Sequence, residues 1–478
     1  MSIKTVNGFE AVIGLEVHVE LATDTKIFCS CPTKFGAEPN TQCCPVCMGF
    51  PGALPVLNKR AVEYAIKAGL ATNCSIARRT RLDRKNYFYP DLPKGYQISQ
   101  DTLPLCRDGY LEIESEGEPR RIGITRIHIE EDAGKLIHGE DGETRIDFNR
   151  CGVPLIEIVS EPDIRSADEA RAYLRKLRTV MMYAGVSECK MNEGAFRCDV
   201  NISVRRAGES ELGTRAEIKN INSFNFVGRA IEYEHARQTE LILRGEKVVQ
   251  ETRRFDPDTG KTYSMRSKEN AKDYRYFPEP DTLCFEIGDA HIEHLGEQIP
   301  MLPDARGRIY VSEYGLSESD AEILTSSLPL AQYFEDCARQ TAYPKALSSL
   351  IVSEILREQS ADGFSCPIST AHLSELATLW GEGVINSSTA KKLLCEMMTS
   401  DISPAAAVEE RGLSQINDGE VLRELLLQVM SEEKKSVEDY RNGKRSAAKV
   451  IIGKVMARTS GRANPPLLSR IAYEELDK

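Results

Sequence analysis

Leu15-Glu16-Val17-His18-Val19-Glu20-Leu21 alternates apolar and polar side chains without a break. On an extended strand, where side chains repeat every two residues, Leu15, Val17, Val19 and Leu21 share one face while Glu16, His18 and Glu20 share the other. One face is predicted to enter a core and the other to meet water or a ligand. Working outward, the pattern recurs: Arg197, Asp199, Asn201, Ser203 and Arg205 alternate with Phe196, Cys198, Val200, Ile202 and Val204. Arg215, Glu217 and Lys219 alternate with Ala216 and Ile218, and the runs 122–131 and 154–160 set His128, Glu130, Glu131 and Glu157 among apolar neighbours. Short runs of this kind, separated by Gly, Pro, Asn and Asp, dominate from about Phe9 to Asp289 and predict a strand-rich domain.

Solvated faces of antiparallel strands are the commonest source of alternation, and that reading stays open for each strand taken singly. Such faces are usually filled with Lys, Glu and Thr. Here they hold His, Asp, Asn and paired acids, donors suited to a divalent cation and its phosphate ligand. The sharper expectation is a polar trough holding a metal. Common nucleotide loops do not account for it: Gly260-Lys261-Thr262 lacks the leading glycine of a phosphate loop, because Phe255 stands there, and Gly134-Lys135 has Ile129 in the same place.

Ser166 to Ala184 reads as a capped helix, with acids in the first turn and Leu174, Leu177, Val180 and Met181 at helical spacing. After Pro300 the texture turns helical, with Pro344, Pro367 and Pro404 as punctuation. A chain of 478 residues is too long for one core, so about two to four domains are expected. Hydrophobic content of 41% and charged content of 28% exclude the disordered classes. No stretch approaches the roughly 20 apolar residues of a membrane span, and the first strand begins at Phe9, leaving no room for a signal peptide, so a cytoplasmic location is expected. A net charge of -12 argues against blanket binding to nucleic acid.

Fourteen cysteines in a chain without an export signal favour thiol or metal chemistry over disulfides. Cys29, Cys31, Cys44 and Cys47 form C-x-C and C-x2-C pairs suited to tetrahedral zinc, the plainer alternative being a group of reduced, partly buried thiols. Four sulfurs leave no open position for substrate. The expected role is to pin a loop, with Cys43 as a bystander.

Six further segments can be read together: Ile13 to Glu20, Asp83 to Asp91 (DRKNYFYPD), Tyr96 to Gln100, Glu130 to Lys135, Pro154 to Asp163 (PLIEIVSEPD) and Asp273 to Asp281 (DYRYFPEPD). In order and along nearly the whole chain, they resemble the signature segments of the B subunits of bacterial tRNA-dependent amidotransferases. The resemblance implies an α+β fold: a strand-rich, cradle-like catalytic domain over 1–293, an all-α helical domain over 294–404, and a small helical C-terminal tail domain over 405–478. It implies ATP-dependent phosphorylation of the side-chain carboxylate of Glu-tRNA(Gln) or Asp-tRNA(Asn), followed by amidation with ammonia. It also implies partners, an amidase-type A subunit that hydrolyses glutamine and a small C subunit, and a Mg2+ ion on His18, Glu131 and Glu157 with Glu16 beside them. Asp199 and Asn201 are expected to orient metal or acyl acceptor, and Lys219 with Asn220 to complete the wall of the pocket, Lys219 meeting phosphate. Glu131 falls on the face opposite His128 and Glu130 in a regular strand, so this assignment requires a bulge or a strand end there, with Glu130 as the substitute.

Between Arg441 and Arg462 stand Lys444, Arg445, Lys449, Lys454 and Arg458, and no acid. Ala448, Ile452 and Val455 are read as the packing stripe. For an arbitrary protein this is a solvated basic helix; the resemblance makes Lys444, Arg445, Lys449, Lys454, Arg458 and Arg462 a surface for the tRNA backbone. Two other functions compete: a zinc-stabilised RNA-binding protein without catalysis, and a phosphotransferase acting on a free small carboxylate. Nucleotide turnover that requires misacylated tRNA separates both from the amidotransferase.

Overall fold

A computed structural model describes residues 5–139, 141–267, 274–359 and 363–478. Its contacts divide the chain into two compact units, Met1–Leu302 and Pro303–Lys478. The fold is α+β, a sheet-rich first unit and a helical second one.

In the first unit the strands that matter are β1 (Phe9–Glu20), β2 (Asp83–Asn86), β3 (Tyr96–Ser99), β4 (Cys106–Ser115), β5 (Glu118–Glu131), β6 (Pro154–Ser160), β7 (Phe196–Arg206), β8 (Ala216–Ile221), β9 (Glu251–Asp256) and β10 (Lys261–Ser267). Their helices are α1 (Lys59–Ala71), α2 (Ala167–Tyr183) and α3 (Phe224–Leu243). The main sheet runs β10-β9-β8-β7-β1-β6-β5-β4, antiparallel except for the β8–β9 pair. β4 and β5 form a hairpin whose two turn residues, Glu116 and Gly117, both have positive φ, 53° and 81°. That is the turn whose twist matches the flanking strands.

Alternation sorts the sheet into two faces. Val17, Val19, Ile127, Ile129, Ile156, Ile158, Val200 and Ile202 are buried in one core with Ala65 and Ile66 of α1, Tyr173, Leu174 and Leu177 of α2, and Ala230 and Ile231 of α3. Ser166 caps α2 by accepting from the Glu169 N–H at 3.1 Å, as its sequence predicts. With helices on the apolar face, the opposite face is left for the polar row. The small sheet of β2 and β3 meets that polar face at the end of β5.

The second unit holds two hydrophobic cores. One gathers Tyr310, Phe334, Leu350, Leu376, Leu393, Ala407 and Val408, the other Leu422, Leu426, Val429, Ile451, Val455, Leu468 and Ile471. Helices span both expected boundaries. The helix Asp289–Glu297 buries Ile292 and Leu295 in the first unit's core, and Pro404–Glu410 contributes Ala407 and Val408 to the middle core. Among the described residues no helix is long and apolar enough to cross a membrane.

Candidate functional site

Antiparallel register places Arg197 of β7, His18 of β1, Glu157 of β6 and His128 of β5 as successive partners, one row of side chains across four strands. His18 Nε2 lies 3.4 Å from Glu157 Oε2 and 4.0 Å from Glu130 Oε2. His128 Nε2 stands 3.2 Å from Glu130 Oε1 and 3.8 Å from Glu157 Oε2. Glu130 is aimed from outside the row: Ser99 Oγ and Gln97 Nε2, both on β3, donate to its two oxygens at 2.8 and 3.2 Å. Ligand atoms of His18, Glu130 and Glu157 all lie within 4.8 Å of one another, a compact nitrogen-and-oxygen set that fits a small divalent cation. Among the described residues, His128 Nδ1 is buried without a hydrogen-bond partner.

Burial opposes ionisation of Glu157, Glu130 and His18, and the opposite charges overcome it. The Glu157 carboxyl is held well below the usual range by His128, His18 and Lys85 despite its desolvation. Desolvation and Glu157 both push Glu130 up, but Lys85 and His128 outweigh them and its pKa is lowered. Burial would depress His18; its hydrogen bond and charge interaction with Glu157, with Glu130 and Asp199 behind, raise it instead above the usual 6.5. A histidine raised in the folded state contributes stability that is complete below pH 6.5 and is lost as pH rises through the folded value. In the metal-free protein the difference in unfolding free energy between wild type and His18→Gln therefore shrinks as pH climbs above 6.5, measured by urea titration with a chelator present. A pH-independent difference contradicts the pairing.

One register step along, Asp199 faces Glu16, and Glu217 of β8 faces Asn201. Glu16, Asp199 and Glu217 form a second group of carboxylates within 4.8 Å. Asn201 Nδ2 donates to Glu16 Oε1 at 2.8 Å, and Lys219 Nζ bridges Asp199 at 2.6 Å and Glu217 at 3.2 Å. Burial and the neighbouring acids Glu157, Glu217 and Asp199 raise the Glu16 carboxyl. Lys219, expected to meet phosphate, is thus tied to two acids. The side chain of Asn220 lies outside the described residues.

Glu131 does not join His18 and Glu157. Strand β5 stays regular there, its register shift falling opposite Val159 and Ser160, so Glu130 shares the face of His128 and Glu131 takes the other. Glu131 instead pairs with Lys94 and accepts from the Ile98 N–H at 2.8 Å. It lines a cavity of about 210 Å³ together with Lys26, Lys94, Cys29 and Cys47. The sulfurs of Cys29, Cys31, Cys44 and Cys47 lie within 4.8 Å of one another, Cys29 and Cys47 also lining this cavity. Cys47 is pulled down toward thiolate by the Cys29 hydrogen bond, helped by the Cys44 N–H at 3.1 Å and by Lys26, whose Nζ lies 3.6 Å from its sulfur. Four such sulfurs fit a closed tetrahedral zinc site. Cys43 stands outside the group, its thiol turned to the Asn40 carbonyl at 3.2 Å.

The GatB/GatE catalytic domain family matches residues 11–293, and the GatB domain family matches 332–476. Over 98% of its length the chain is 54% identical to the B subunit of the aspartyl/glutamyl-tRNA(Asn/Gln) amidotransferase of Caldicellulosiruptor saccharolyticus, covering 99% of that protein. It is 52% identical to the proteins of the same name from Thermoanaerobacter pseudethanolicus and Geobacter sulfurreducens, covering 100% and 99% of them. The chain belongs to the family of amidotransferase B subunits. Membership of a catalytic family leaves the non-catalytic RNA-binding reading without support.

Three residues of this amidotransferase chain that border the row, Lys85, Gln97 and Ser99, were not expected there, although all three lie in segments that carry the resemblance. Gln97 and Ser99 alternate with buried Ile98, the same period-two signal that marked His18. In the tail the buried stripe is Ala448, Ile451 and Val455 rather than Ala448, Ile452 and Val455, since i+3 shares a helix face as readily as i+4. Lys454 pairs with Glu433 and Arg458 with Glu432 at 2.6 Å, so the absence of acids between 441 and 462 does not leave these cations unpaired. Arg462 donates its guanidinium to the carbonyls of Thr459 and Gly412, at 3.2 and 2.8 Å. Lys444 reaches Asp439 at 3.7 Å, Arg445 lies over the Tyr440 ring at 5.9 Å, and Lys449 is exposed.

Proposed function

We propose that the polar face of the first unit phosphorylates the side-chain carboxylate of an amino acid misplaced on tRNA, Glu-tRNA(Gln) or Asp-tRNA(Asn), using ATP. The carboxylate oxygen attacks the terminal phosphorus, ADP leaves, and ammonia then displaces phosphate from the acyl phosphate to give the amide. A carboxylate alone offers only oxide as leaving group, which is why activation must come first. The observation that carries this reading is the convergence of His18, Glu130 and Glu157 from three strands onto one point. These residues would hold Mg2+, which when bound neutralises charge on the transferring phosphoryl group. Glu16, Asp199 and Asn201 border that point and orient the acceptor.

The Cys29, Cys31, Cys44 and Cys47 group would hold zinc and fix the loop that carries it. Ammonia comes from an amidase-type glutaminase subunit, clasped to this chain by a small third subunit. Exposed cations of the tail, Lys449 above all, contact the tRNA backbone, with Lys444, Arg445, Lys454, Arg458 and Arg462 contributing around it. Such a complex works in the cytoplasm beside the translation apparatus.

The test is reconstitution with the two partner subunits, ATP, Mg2+, glutamine and Glu-tRNA(Gln). ADP should form only with misacylated tRNA and in step with Gln-tRNA(Gln). Equal ADP formation with free glutamate, or none that depends on misacylated tRNA, overturns the reading.

A further inference from the structure

We propose that Lys85 is the residue that grips the transferred phosphate of the nucleotide, and that Tyr87, Tyr274 and Tyr276 form the enclosure that presents it. This inference rests on the proposed function and adds to it the group that holds the phosphate while it is transferred.

The cations around the polar face differ in their partners. Lys219 is bound to Asp199 and Glu217, and Arg197 to Asp132 at 2.7 Å. Among the described residues, the Lys85 ammonium has no hydrogen bond or ion pair; its close neighbour is the Tyr274 ring, 5.1 Å from Nζ to centroid. Yet its charge is felt by both Glu130 and Glu157, two of the three candidate cation ligands. Desolvation would strip the proton from such a lysine, but its pKa is raised instead, the carboxylates of Glu130 and Glu157 supplying the charge that opposes burial. A charged, partly buried ammonium has three donors to satisfy, and leaving them unmade is costly. A phosphoryl group supplies three oxygens at once, and a lysine serves such a group as a point charge beside the metal.

The surroundings are built to hold this position. Tyr87 and Tyr274 meet edge to face at 6.0 Å, and Tyr274 and Tyr276 at 6.2 Å. Asn86, next to Lys85 on β2, donates to the carbonyls of Tyr274 and Arg275 at 3.3 and 2.9 Å, fastening the tyrosine segment to the strand. Arg275 takes a left-handed φ of 45° there, a conformation that surrounding contacts must impose on a non-glycine residue. Arg84 on the other side binds Glu279 at 2.6 Å.

The experiment uses the assembled three-subunit complex with wild-type chain, Lys85→Met and Lys85→Arg, the folded state of each checked by thermal unfolding. ATP and ADP affinities are measured by calorimetry in Mg2+, and ADP release is followed with Glu-tRNA(Gln). Lys85→Met should weaken ATP by about 10- to 100-fold, with a smaller effect on ADP, and slow turnover by about 10²- to 10³-fold. Lys85→Arg should recover part of the ATP affinity. Wild-type ATP affinity in a folded Lys85→Met complex overturns the assignment, as does a change confined to the KM for Glu-tRNA(Gln), which would make the ligand the acceptor carboxylate. A wild-type complex that binds no ATP sinks the proposed function itself.

Discussion

Glu157→Gln should lower ATP-dependent amide formation by about 10³-fold in the assembled complex. The substitution keeps the shape of the side chain and removes its charge. Glu157 lies 3.4 Å from His18 and 3.8 Å from His128, in the middle of the row, and the Lys85 charge acts on it as well. An amide there loses an anionic ligand of the cation and leaves Glu130 as the one carboxylate of the pair that His18, His128 and Lys85 share. Charge stabilisation by a bound cation is worth several kcal/mol in such reactions, and about 4 kcal/mol corresponds to that loss in rate. His18→Ala should fall as far, because it removes the imidazole ligand from the neighbouring strand. Conversion of Glu-tRNA(Gln) to Gln-tRNA(Gln) is the readout, with glutamine hydrolysis retained at least in part in the same samples. Full amidation by either variant would remove the row from the chemistry.

Cys44→Ser combined with Cys47→Ser should take bound zinc from one atom per chain to none, measured by metal analysis after dialysis. Structural zinc contributes on the order of 10 kcal/mol to the small domains it organises, so the loop around these cysteines should lose its order. Proteolysis within residues 29–56 and a lowered thermal midpoint are the expected consequences. Cys43→Ser should keep its zinc, since that thiol is turned to the Asn40 carbonyl. Retention of zinc by the double variant would show that the four sulfurs are simply neighbouring thiols.

The sheet is legible in the sequence because its code is short. Alternation in β1 and β7 assigns faces to His18, Glu16, Asp199 and Asn201 with no other information, and the same rule leaves Glu131 opposite His128. The metal assignment taken from resemblance puts Glu131 in the set all the same; the regular register of β5 supplies Glu130. Lys85 gives no such signal because its strand is only four residues long and the carboxylates whose charge acts on it, Glu130 and Glu157, stand far along the chain. No local pattern encodes such a meeting. The tail misleads for the same reason: a run of cations without acids looks unpaired in sequence, while Glu432 and Glu433 come from just before it in the chain. Tertiary pairing, unlike periodicity, is invisible in a window of neighbours.

Adjacent acids on β5 serve different compartments, Glu130 beside the histidines and Glu131 beside Lys94 and the cavity that Cys29 and Cys47 line. Deleting a single residue from the middle of that strand would exchange them, and every neighbour with them, in one step. In this chain, residues added in pairs at the tip formed by Glu116 and Gly117 would keep that parity, whereas a single residue added between the bulge opposite Val159 and Ser160 and Glu130 would reverse it.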